Sequence, residues 1–172
     1  MEQLLTEIQI ALANKLYFIA LQATLTIPDI CGAIESDDGI ARGGKYCNWY
    51  NKYAKPRISP HVAAEDVYLF RCSLLHQGTT IPNPRPGQNA SYSRILFAAP
   101  YSHFVEVHDC VVMDALFVDV VIFCNGMVEA AKEWIAEMQG ENNANFIKNS
   151  SNTIRYYPNG IAPYITGIDT IG

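Results

Sequence analysis

The sequence predicts a mainly α-helical fold: a bundle of four or five helices carrying a small antiparallel β insertion. Three observations predict it. Apolar residues recur at helical spacing over residues 2–26 and again over 119–138. The segment 63–77 reads as a helix that closes on Gly78. Strand-like runs are confined to residues 92–117, between proline- and glycine-rich stretches. The chain of 172 residues suits one domain. That domain is expected over 1–140, with a loosely packed tail over 141–172.

In the first helix Leu4, Leu5, Ile8, Leu12, Leu16, Ile19 and Ala23 fall on one side. Pro28 fits the first turn of a second, short apolar helix ending near Ile34, and Asp29 is favourable beside its N-terminus. Residues 36–44 form a loop. Residues 45–54 form a helix that Pro56 ends. Its aromatics Tyr46, Trp49, Tyr50 and Tyr53 share helical spacing, which predicts core more readily than a base-stacking surface. Ser59 and Pro60 supply a cap and first-turn proline for the 63–77 helix. The run 79–91 is an extended surface loop. Strands are expected at 92–98, 103–107 and about 111–117. Helical spacing returns through Val120, Cys124, Val128, Ala131, Trp134, Ile135 and Met138 and stops at Gly140. The expected core draws on Leu4, Ile8, Leu12, Leu16, Val67, Phe70, Leu74, Val128 and Trp134.

Composition excludes one large class of surface. Net charge is −5, so a broadly basic nucleic-acid face is ruled out and any such contact rests on a local patch. The five cysteines are odd in number and none form Cys-x-x-Cys, which predicts reduced thiols and a cytoplasmic protein. No apolar run is expected to span a membrane.

The sharpest chemical signal is Arg71-Cys72-Ser73-Leu74-Leu75-His76 in the last turns of the 63–77 helix. A permanently charged guanidinium and an imidazole that titrates near neutrality are the parts needed for metal-free phosphodiester cleavage. At about 100° per residue, Val67, Phe70 and Leu74 face the core, whereas Arg71 and His76 stand about 140° apart. In one helix they would not converge. A two-fold dimer could bring two copies together, and Leu69 on the His76 face suits such an interface. A long Arg71 side chain wrapping the helix is the other route. A structural role is the competing reading, with Arg71 paired to Asp29, Glu35 or Asp119 and His76 serving the helix C-terminus.

This Arg-x(4)-His pattern, late in a helix of a mainly helical protein, resembles the HEPN superfamily. The resemblance implies a homodimer whose two motifs line one cleft, an RNA substrate, and a toxin or defence role with a cognate antitoxin protein. It implies that Arg71 steadies the phosphate, that His76 moves the proton, and that no cofactor or metal is required. The family pattern often has Asn or Asp after the arginine, where this chain has Cys72.

A non-catalytic interaction or RNA-binding module with the same helices is the alternative. Two lesser candidates remain: a metal site at His103, Glu106 and His108, and a thiol at Cys72 activated by its neighbour Arg71.

Overall fold

The computed structural model describes residues 1–100 and 107–172. The fold is mainly α-helical. Its centre is α7, Val120–Gly140, which buries Phe123, Met127, Val128, Ala131 and Trp134. Asp119 starts this helix by accepting from the backbone N–H of Val121 at 2.7 Å and of Ile122 at 2.9 Å. A side-chain acceptor there satisfies donors that the first turn leaves orphaned.

The expected helix over 2–26 is two helices, α1 (Glu2–Ala13) and α2 (Tyr17–Thr24). Apolar spacing runs through the break, which is why periodicity misses it. The break is a Schellman end. Lys15 takes φ +59°, its N–H meets Leu12 O at 3.0 Å, and Leu16 N–H meets Ala11 O at 2.8 Å. Leu16, expected in the core, is half exposed at the turn. Next comes α3, Ile27–Ile34, with Pro28 in its first turn. By length and composition alone the stretch Tyr17–Ile34 could cross a membrane, but it is divided between α2 and α3 and half of it is buried inside the fold.

After the loop comes α4, Gly43–Trp49, which continues into a π-helical segment, Tyr50–Ala54, and a short α5, Lys55–Ile58. Pro56 does not end the helix. It follows a widened turn in which Lys55 N–H reaches back five residues to Tyr50 O, and it occupies the first turn of α5. Tyr46, Trp49, Tyr50 and Tyr53 are all buried, as a core stripe should be. Helix α6, Ala64–Gln77, starts without a side-chain cap, and Ser59 instead accepts from His61 N–H at 3.0 Å. Gly78 closes α6 with φ +67° and an N–H bond to Leu74 O at 3.0 Å.

The β insertion is a three-stranded sheet of order β1-β3-β2, formed by β1 (Arg94–Ala98), β2 (Cys110–Val112) and β3 (Ala115–Asp119). It is mixed rather than antiparallel. β2 and β3 form a hairpin through Met113 and Asp114, whose φ values of +49° and +63° mark a two-residue turn. β1 runs parallel to β3, from Arg94 opposite Ala115 to Ala98 opposite Asp119. Of the expected 103–107 strand, residues 103–106 lie outside the described residues and Val107 belongs to no strand.

The final segment holds α8 (Ala144–Ser150) and two small antiparallel ladders, β4 (Tyr156–Tyr157) with β7 (Thr170–Ile171) and β5 (Gly160–Ile161) with β6 (Ile165–Thr166). Asn149 ties α8 to α3 by donating to Ile34 O at 3.0 Å and Ser36 O at 2.7 Å.

Candidate functional site

Arg71 and His76 meet in a single chain. Arg71 Nη1 lies 3.2 Å from His76 Nε2. The helical-wheel separation is real, and the length of the arginine overcomes it. Guanidinium donates and has no acceptor, so Nε2 accepts in this contact and the ring proton sits on Nδ1. His76 is exposed, while Arg71 is half-buried along the helix edge.

Asp29, in the first turn of α3, anchors the other arm of the guanidinium. Arg71 Nη2 stands 2.6 Å from Asp29 Oδ2, and both side chains keep only 20% and 14% of their surface exposed. The geometry is a charge pair rather than an aligned hydrogen bond. Arg71 Nε and the Tyr46 hydroxyl also lack hydrogen-bond partners among the described residues. Burial raises the pKa of Asp29 above its ordinary value, and Arg71 offsets this only in part. For Arg71, burial opposes the charge, and the Asp29 carboxylate together with Cys72 and Tyr46 more than restores it. Burial, with Asp29's charge, pushes the Tyr46 phenol up, so it stays neutral. The cluster thus holds one fixed cation that reaches from a sequestered carboxylate to an accessible imidazole.

The His76 face of α6 is not a bare dimer interface. Leu69 is 4% exposed and Ser73 1%. Segment 88–91 crosses over this helix, with Ser91 N–H donating to Asp66 at 2.7 Å. A local wheel has no access to cover supplied by a loop further along the chain.

The metal candidate fares poorly at its one described member. His108 Nε2 donates to Ile58 O at 3.0 Å, and Nδ1 accepts from Asp119 N–H at 3.2 Å. Both nitrogens are spent bracing α5 against the start of α7. His103 and Glu106 lie outside the described residues. Among the described residues no group of three or more metal-ligating side chains converges. The thiols give no activated nucleophile at α4. Burial, then the nearby Glu65 and Cys72, push Cys47 up to about 11. All five cysteines are free.

Sequence reasoning missed one pair. At the opposite end of α6, exposed His61 places Nδ1 2.7 Å from Asp109 Oδ2. Asp109 sits at φ +54°; burial works to raise its carboxyl, and Ser59 and His61 together hold it below the ordinary range. The partners lie 48 residues apart, so no local motif signals them. Comparison with known proteins gives no matching family model, no matching curated protein and no matching solved structure.

Proposed function

We propose that the protein is a HEPN-like, metal-independent endoribonuclease that works as a homodimer and uses Arg71 and His76 as its reacting pair. The observation that carries this reading is the 3.2 Å approach of the Arg71 guanidinium to an exposed imidazole nitrogen. A phosphodiester offers Arg71 a better acceptor than imidazole, since guanidinium binds phosphate through two charge-assisted bonds. As Arg71 Nη1 turns to the phosphate, the Nε2 lone pair of His76 is released. Nε2 then takes the proton of the RNA 2′-hydroxyl, O2′ bonds to phosphorus, and the P–O5′ bond breaks. The leaving oxygen takes its proton from the second imidazole, in its protonated form, that a homodimer supplies. The products are a 2′,3′-cyclic phosphate and a 5′-hydroxyl. Arg71, held by Asp29, steadies the charge that grows on the phosphoryl oxygens.

The homodimer draws support from four exposed apolar side chains near the α1–α2 turn, Ile10, Leu16, Phe18 and Ile19, of the type that interfaces cover. A toxin or defence role, an antitoxin partner and a cytoplasmic setting follow from the resemblance and are part of the same proposal.

The Asp29–Arg71 charge pair favours a second reading, a non-catalytic interaction module in which the pair is structural. Incubating the purified protein with a mixed RNA pool in EDTA, beside Arg71→Ala and His76→Ala, separates the two. Cleavage by the parent that both variants lose supports the ribonuclease. Intact RNA in every lane at high protein concentration supports the module.

A further inference from the structure

We infer that a groove beside α6 recognises guanine in single-stranded RNA. The inference rests on the ribonuclease reading and names what that site selects. Glu65, Tyr68, Leu69, Cys72 and His76 fall within about 100° of one another around α6. They form a stripe that rises about 16 Å from Glu65 to His76. The N-terminal half of this stripe lines a groove of about 470 Å³, closed on its other sides by Asn48 of α4 and by Gln88 and Asn89 of the loop. A strand lying along the stripe would place a base in the groove and its backbone toward His76.

The groove has the parts that base recognition uses. Leu69, 4% exposed, is an apolar floor. Tyr68 provides an aromatic ring that is fixed on two sides. It packs against Tyr46 with centroids 5.3 Å apart, and it lies so close to Gly43 that a Cβ there would fall 2.8 Å from Tyr68 Cζ. Polar groups complete the set. Among the described residues the side chains of Glu65, Asn48 and Asn89 make no hydrogen bonds within the protein. Gln88 spends its amide oxygen on Arg85 N–H at 3.0 Å and keeps its N–H donors.

This donor and acceptor set matches guanine. Its Watson–Crick edge presents two adjacent donors, N1–H and N2–H₂, to one carboxylate, and its O6 and N7 accept from carboxamides. Adenine and cytosine turn a ring-nitrogen acceptor toward Glu65, and uracil offers a single donor. The edge is free only in an unpaired base, which restricts the target to single strands.

The test is an NMR titration of the full chain with guanosine 3′-monophosphate and with adenosine 3′-monophosphate, alongside mapping of cleaved RNA ends. Shifts at Tyr68, Asn48 and Asn89, about tenfold tighter binding of the guanosine nucleotide, and loss of that preference in Glu65→Gln are expected. Asn89→Ala provides a second variant on an exposed loop, and it should weaken the same binding. Equal binding of both nucleotides, or shifts that avoid the groove, overturns the inference. RNA cleavage with no preference for guanine also overturns it and leaves the ribonuclease reading standing. Guanine-selective binding without any cleavage supports the groove and removes the ribonuclease reading.

Discussion

Removing the charge of Arg71 while keeping its bulk, as Arg71→Met, strands the Asp29 carboxylate. With Arg71 present, burial already outweighs attraction and Asp29 titrates above its ordinary value of 3.8. A carboxyl raised in the folded state binds more protons there than in the unfolded chain. Its stabilising contribution is therefore full below the unfolded pKa and is lost as pH rises through the folded one. Without Arg71 the folded value rises further and the loss extends to higher pH. Breaking one partner of a fully buried pair costs ~3–5 kcal/mol. Here 20% and 14% of the two side chains remain accessible, which lets water meet part of the charge. The expected loss at pH 7.5 is therefore about 2 kcal/mol. With a urea dependence of ~2 kcal/mol per M, the unfolding midpoint should fall by about 1 M. The assay is urea denaturation at pH 4.5 and pH 7.5, with Asp29→Asn and the double variant closing the cycle. The double variant should recover most of the loss, and the Arg71→Met deficit should shrink at pH 4.5. A deficit that is the same at both pH values, or no recovery in the double variant, refutes the assignment of Asp29 as the carboxylate that Arg71 compensates.

Three further substitutions test the frame around the site. Trp134, fully buried, donates from Nε1 to the Glu35 carboxylate at the end of α3, and Trp134→Phe should lower stability by about 2 kcal/mol in thermal melts. Asp119→Ala removes the two-bond cap of α7 and should cost about 1 kcal/mol by the same measurement, a smaller fall than at Trp134. Gly43→Ala drives a methyl to 2.8 Å from the Tyr68 ring. It should destabilise by about 1–3 kcal/mol and shift the Tyr68 ring resonances, whereas unchanged resonances would mean that the ring is not held there.

Local signals carried much of the frame. Gly78 announces the end of α6 and Pro28 the start of α3, because a left-handed stop suits glycine and a first helical turn suits proline. Helix α7 is announced by its apolar spacing, and its Asp119 cap is a finding of the structure. The break at Lys15 was not legible, since a left-handed lysine has no composition signal and the apolar spacing continues past it. The parallel partnership of β1 and β3 depends on where a long connection returns, which alternation within a strand does not encode. At the site the residue types were legible but their meeting was not. The wheel gives Cα directions, and the Arg71–His76 contact is made by a side chain long enough to travel round the helix. Asp29 was one of three carboxylates the sequence offered to Arg71, and packing of α3 near α6 selects it. The cover over Leu69 and the His61–Asp109 pair come from residues distant in sequence, where no spacing rule reaches.

The most direct measurement is ³¹P NMR of RNA incubated with the protein in EDTA, for the parent chain and for His76→Ala. The pairing of Arg71 with His76 predicts a 2′,3′-cyclic phosphate signal from the parent and none from the variant. An unchanged RNA spectrum at high protein concentration, or the same cyclic phosphate from His76→Ala, contradicts it.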